Sequence, residues 1–213
     1  MRLGILVSGR GSNLEAVLDA RADGRLVGIE PALVISNRSG VRALGVAERH
    51  AIVCQVLERS AFVDADARDH AIGQAFAKDR CDLVLLAGYD QLLRTSYFAF
   101  YRGPTINIHP SLLPRHGGAG MMGLAVHQSV LDAGDAATGV SIHVVTEELD
   151  AGPVIARAEV PVLRGDDAAA LARRVLEAEH RLLVETLAGL AARGLRDLAS
   201  ASMSDRPVTV EAD

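Results

Sequence analysis

The chain has 213 residues, 49% of them hydrophobic and 23% charged, and a formal net charge of −5 at pH 7. This is the composition of a globular domain large enough to bury roughly 70% of its unfolded surface, and it excludes a disordered chain. Acids and bases are mixed along its length, which leaves no basic field for nucleic acid or an anionic membrane; a bound phosphate has to be gripped locally.

From the amino terminus, apolar runs alternate with helical patterns. RLGILV (2–7) reads as a strand, SGRGSN (8–13) as a turn, and LEAVLDARADG as a helix ending at Gly24. PALVIS (31–36) is a second strand, followed by a helix over 41–50, and AIVCQV (51–56) is a third. Next comes a helix over 60–79, with Phe62, Ala65, Asp69, Ile72 and Phe76 at helical spacing. DLVLLAG (82–88) is apolar throughout, and a short helix over 92–98 leads to TINIHP (105–110). This rhythm predicts an α/β fold with a mostly parallel sheet and helices on both faces.

The second half changes character. Residues 124–133 read as a helix; GVSIHVV (139–145) and GPVIARAEVPV (152–162) alternate, as antiparallel strands do. A long helix follows over 166–193, with Asp166 and Asp167 at its positive end, and the segment 201–213 is a polar tail. Residues 1–200 form one domain. Cys54 and Cys81 lie in or beside apolar runs without a C-x-x-C, so both are expected as free thiols in a reducing compartment. The first apolar run is too short for a signal peptide, and none approaches the roughly 20 residues of a membrane helix. A cytoplasmic protein is expected.

Three groups of residues could carry chemistry. In SGRGSN the glycines allow a sharp turn at a helix start, where free N–H groups meet an anion. A dinucleotide fingerprint fails: Leu14 occupies the third glycine position and the second strand ends in Ser36-Asn37-Arg38 without an acid. The backbone of Gly11, Ser12 and Asn13 holding a single phosphate is the sharper reading, with Ser12 as a simple helix cap the plainer one. In TINIHP, Asn107 and His109 share one face at the carboxyl end of a strand that Pro110 terminates. An amide that donates without titrating, beside an imidazole that moves a proton, suits a carbonyl whose oxygen becomes negative. Asp150 in TEELDAGPV is by default a turn residue; near His109 it would raise the imidazole pKa.

SGRGSNLEAV, DLVLLAGY, INIHPSLLP, TGVSIHVVTEELDAGPVI and EAEH, in that order over almost the whole chain, resemble the formyltransferases that use 10-formyltetrahydrofolate. Within that family the resemblance is to those acting on glycinamide ribonucleotide in purine biosynthesis. Other members carry an extra domain at one end, for which this chain has no room. The resemblance implies a phosphate-binding Rossmann-like lobe at 1–103 and a catalytic, folate-binding lobe at 104–200. It implies attack of the glycinamide amine on the formyl carbon, with Asn107 and His109 stabilising the tetrahedral oxyanion. His109 would be the general acid and Asp150 would orient it. Gly11, Ser12 and Asn13 would hold the ribose phosphate, and Glu179 would contact the ribose or glycinamide. The pterin would lie between 88–93, that is Tyr89, Asp90, Gln91, Leu92 and Leu93, and the turn 145–150. Neither a metal nor a nucleotide cofactor is implied, and a homodimer is compatible with the resemblance. The alternative is a formyltransferase acting on another small amine, such as an amino-sugar nucleotide.

The sequence departs from the family in two places. Many members have Phe-Met-Arg-Ile-Leu where this chain has Tyr89-Asp90-Gln91-Leu92-Leu93. A helix arginine often holds the folate tail, but register points near Ala65, with Arg59 and Arg68 as neighbours, so that role falls to no residue. The segment RHGGAGMMGLAVH is also longer than usual, and Gly117, Gly118 and Gly120 make it a candidate lid over the folate entrance. The spacings of His109, His116, His127 and His143 fit no metal motif. His143, beside Ser141, reads first as a plain strand position, with support of the site as the alternative; His50 and His70 read as solvated, and His180 as a candidate support for Glu179.

Overall fold

The computed structural model describes residues 1–195, 198 and 208–209. Seven strands, β1 (Arg2–Val7), β2 (Glu30–Ser36), β3 (Val53–Val56), β4 (Leu83–Leu86), β5 (Thr105–His109), β6 (Ala137–Val144) and β7 (Val154–Pro161), are joined by the two-residue β8 (Val208–Thr209) in one sheet. The strand order is β3-β2-β1-β4-β5-β6-β7-β8. Pairing is parallel from β3 to β5, antiparallel from β5 to β7, and parallel again between β7 and β8. This is the expected α/β architecture, and one continuous sheet joins 1–103 to the rest. Apart from β8, the tail 201–213 lies outside the described residues.

Helices α1 (Ser12–Ala22), α2 (Arg42–Arg49), α3 (Ala65–Lys78), α4 (Thr95–Phe100), α5 (Leu124–Asp132) and α6 (Ala168–Arg193) cover the sheet on both sides. Leu3, Ile5, Val7, Leu83, Leu85, Ile106 and Ile108 pack with α1, α2, α5 and α6. Leu6, Val84 and Leu86 meet Ile72 and Phe76 of α3 and Tyr97 of α4 in a second cluster. Strands buried on both faces have no polar alternation, which is why β1 and β4 read as unbroken apolar runs. Gly4 interrupts β1 because a Cβ there would lie 2.5 Å from the Phe76 ring.

Helix boundaries moved where a cap decides them. Instead of starting at Ser60, α3 starts at Ala65, because Asp64 accepts the N–H of Ala67 (2.8 Å). Arg59–Ala61 is a separate 3-10 turn, and Phe62 lies outside the helix. Likewise Asp167 caps α6 through the N–H of Ala170 at 2.7 Å.

Candidate active site

The chain leaves β1 toward β2 on one side and β4 toward β5 on the other, so the strand order reverses between β1 and β4. Open α/β sheets bind ligands outside the carboxyl ends of their strands at such a point. The loops after β1 and β4 meet there, where the N–H of Asp90 donates to Ser8 Oγ at 3.0 Å.

After β1, Gly11 occupies the cap position of α1 at φ 74, and no side chain caps the helix. The plainer reading of Ser12 as the cap is therefore corrected: Ser12 is the first helical residue and a left-handed glycine takes the cap. A Cβ at Gly11 would sit 2.7 Å from that of Ala43, so the approach of α2 also demands glycine. Arg42 pins the loop, donating to the Arg10 carbonyl at 3.1 Å and pairing with Glu15. The first N–H groups of α1, including those of Ser12 and Asn13, have no intrahelical acceptor and face the sheet edge. Behind them the Asn13 amide donates to Glu179 Oε1 at 3.5 Å, while Asn13 Oδ1 is buried without a partner. Glu179 is only 9% exposed, and its burial pushes the carboxyl up to about 7, against the smaller opposing effects of Asn13 and Arg10.

At the end of β5, antiparallel pairing sets Asn107 opposite His143 and His109 opposite Ser141. His143 Nδ1 donates to the Val144 carbonyl (3.0 Å), so its Nε2 accepts from the Asn107 amide at 3.1 Å. Asp150, in the β6–β7 turn at φ 53, puts Oδ2 3.7 Å from His109 Nδ1 and Oδ1 3.6 Å from His143 Nε2. The turn is held tight at Gly152, where a Cβ would lie 1.8 Å from the Val144 carbonyl oxygen. Asn107, His109, Asp150 and His143 thus form one cluster. The alternative reading of His143 as a support of the site therefore displaces the plain strand position, and antiparallel register against Asn107 is what decides it.

The expected rise of the His109 pKa is reversed. Burial lowers it most; the bond to the His116 carbonyl and the charge of Asp150 raise it by less, and His143 adds to the lowering. For Asp150, burial works upward but is outweighed by the adjacent His143, the Gly118 N–H bond and the charge of His109, leaving the carboxyl below its usual range.

The segment expected as a lid is anchored at its root. His109 Nε2 donates to the His116 carbonyl (2.9 Å), Ser111 Oγ bonds the Arg115 carbonyl (2.7 Å), and the Gly118 N–H donates to Asp150 Oδ2 (2.9 Å). Residues 119–120 and 122–125 beyond the root are exposed. His116 has φ 53, a conformation that costs an L residue roughly 1–3 kcal/mol and has to be held by its surroundings.

In the segment after β4, Asp90 turns away from a ligand and toward the protein. Its carboxylate accepts from Asn37 (2.8 Å), from Arg38 and from Gln91 (3.2 Å). Burial raises the Asp90 pKa, but the bonds of Asn37, Gln91 and Ser8 and the charge of Arg38 together hold it below its usual range. Leu93 is 1% exposed and belongs to the core, so its side chain is not open to a ligand, whereas Tyr89 is half-buried with its hydroxyl buried and without a partner. Leu92 is exposed. Gln91 is the acceptor for Arg68 Nη1 at 3.5 Å, and Arg68 itself is buried and bonded twice to Asp69. The turn 145–150 reaches this wall through Val145, which packs against the same hydrophobic cluster as Tyr89, and through Glu147, which accepts from Thr95 at 2.7 Å.

Other polar residues resolve differently. His70 is half-buried, one face stacked on the exposed Phe100 with ring centroids 3.7 Å apart. His50 is exposed at the end of α2. Beside Glu179, His180 Nε2 is buried without a partner. Among the described residues no His, Cys, Asp or Glu cluster could hold a metal ion, and no helix is long and apolar enough to cross a membrane.

Residues 1–187 match the model of the formyl transferase family. The chain is similar to the phosphoribosylglycinamide formyltransferase of Escherichia coli (strain K12), 38% identical over 85% of this chain and 83% of that protein. It is also 38% identical to the trifunctional purine biosynthetic protein adenosine-3 of Drosophila pseudoobscura pseudoobscura, over 92% of this chain, but it spans only 14% of that relative's length. Among solved structures, the phosphoribosylglycinamide formyltransferase of Brucella melitensis superposes with a TM-score of 0.80 at 42% identity, covering 90% of this chain and 95% of that one.

Proposed function

The chain belongs to the formyl transferase family, and on that premise we propose that it transfers the formyl group of 10-formyltetrahydrofolate to the amine of glycinamide ribonucleotide. The observation that carries this reading is the convergence of Asn107, His109 and Asp150 at the end of β5, with His109 Nδ1 3.7 Å from Asp150 Oδ2.

The amine nitrogen bonds to the formyl carbon and the carbonyl π pair moves onto oxygen. The second N–H of Asn107, not used on His143, and the protonated His109 stabilise that oxygen. Collapse re-forms the carbonyl and breaks the bond to the folate nitrogen. The departing nitrogen takes the proton of His109, and the neutral imidazole so left accepts the proton that the attacking nitrogen gives up, which restores the acid. Asp150, ionised and braced by the Gly118 N–H, favours the protonated imidazole against the pull of burial. The backbone of Gly11, Ser12 and Asn13 takes the phosphate, and Glu179 with the open Asn13 Oδ1 faces the ribose or glycinamide. Tyr89 through Leu93 bind the pterin through main-chain groups, because the side chains of Asp90 and Leu93 are already committed.

The test is a spectrophotometric assay with glycinamide ribonucleotide and 10-formyltetrahydrofolate, comparing wild type with His109→Ala and Asp150→Asn. Loss of kcat by at least about 100-fold is expected for the histidine change, the usual scale for a positioned acid. Normal turnover by a folded His109→Ala protein would refute the assignment.

A further inference from the structure

We propose that the His116 side chain, bonded on one side to Ser129 and on the other to Asp135, is a positioning device for His109: it holds its own carbonyl on His109 Nε2 and so dedicates Nδ1 to the proton that is delivered. The inference rests on the reading of His109 as the general acid.

A carbonyl oxygen only accepts, so the 2.9 Å contact to the His116 carbonyl requires a hydrogen on His109 Nε2 in both protonation states. The proton gained and lost is then the one on Nδ1, which faces Asp150. That assignment holds only while the His116 carbonyl stays in place, and its backbone, at φ 53, does not favour staying. Packing is only part of what holds it: the side chain is 10% exposed, yet a pocket of about 250 Å³ lined by Leu112, Arg115, Asp135 and Thr138 opens beside the ring.

Hydrogen bonds do hold it. His116 Nδ1 lies 2.8 Å from Ser129 Oγ on α5, and Nε2 lies 2.8 Å from Asp135 Oδ2 just after that helix. Arg115 fixes the second oxygen of Asp135 at 2.5 Å. The ring is therefore tied at both nitrogens to a helix and its closing turn, elements with little freedom of their own. Two residues further on, the Gly118 N–H braces Asp150 (2.9 Å), so the same loop root orients both members of the acid pair. The His116 carbonyl is also one of the groups that support the charged form of His109 against burial.

His116→Gly tests this, since glycine is at ease at positive φ, with a thermal melt beside it because the ring it removes is only 10% exposed. Asp135→Asn tests the other end of the clamp, and His116→Gln is the rescue, able to bond both partners. Long-range ¹H–¹⁵N imidazole spectra of the substrate-free protein, taken where His109 is neutral, should show the Nε2–H tautomer alone in wild type. His116→Gly should show a mixture. In steady-state assays kcat should fall about 10- to 100-fold with either KM changed less than about threefold, the pattern of a misplaced catalytic group, and His116→Gln should recover most of it. An unchanged His109 tautomer in His116→Gly, or an unchanged kcat, would overturn the proposal. A wild type that makes no product from the two substrates would instead refute the activity, while the tautomer spectra would still decide the clamp.

Discussion

Glu179→Gln should make the protein more stable at alkaline pH while weakening substrate binding. The carboxyl is 9% exposed, and burial lifts it from its ordinary 4.5 to about 7. At about 1.4 kcal/mol per tenfold, that displacement makes the ionised form ~3 kcal/mol less favourable in the folded than in the unfolded chain. Because the folded-state value is the higher one, folding takes up a proton between about pH 4.5 and 7. The protein is therefore at full strength below that window and loses stability as pH rises through it. The amide of Gln fills the same volume, can still accept from Asn13, and never ionises. Urea unfolding of wild type and Glu179→Gln at intervals from pH 5 to 8.5 reads the effect. The buried histidines His109 and His127, whose lowered values penalise acid instead, are common to both proteins and cancel in the difference. The variant should gain about 1–3 kcal/mol over wild type by pH 8 and little at pH 5. Parallel stability curves would refute the burial argument.

Releasing the Asp90 anchor should weaken folate binding without touching the chemistry. Asp90→Ala and Arg38→Ala should each raise KM for 10-formyltetrahydrofolate about three- to tenfold with kcat nearly unchanged, and the double variant should add little, because the pair acts as one; additive losses would contradict a shared anchor. Gly152→Ala should displace the Asp150 turn, since its Cβ would fall 1.8 Å from the Val144 carbonyl oxygen. Destabilisation of more than about 2 kcal/mol is expected, read as a fall in Tm, and a wild-type melting curve would show that the turn has slack.

What could be read from the sequence is what local chemistry decides. The buried strands β1 and β4 announce themselves because both faces are covered, and Asn107 and His109 because a polar pair at a strand end stands out against isoleucines. Asp150 was legible through resemblance and could not have been placed by spacing, since its approach to His109 depends on the hairpin between β6 and β7 folding back over β5. The sequence leaves His143 between a plain strand position and a support of the site for the same reason: its role follows from antiparallel register, and a one-residue slip would turn it to the other face. The His109 pKa was judged from one neighbour, Asp150, when burial, which no motif displays, outweighs it.

The two departures from the family pattern show the limit most clearly. In the sequence Asp90 is an acid in an unexpected place; in the fold it is half of an ion pair with Arg38, so the substitution makes sense only with a partner 52 positions away. His116 likewise belongs to a glycine-rich segment that reads as a free loop, yet Ser129 and Asp135 tie it down from 13 and 19 residues further along. Glycine content measures what a backbone can do, whereas mobility depends on what its neighbours hold. A lid in this protein would therefore have to hinge beyond Gly118, in the exposed residues 119–120 and 122–125, while the root that touches His109 and Asp150 stays fixed.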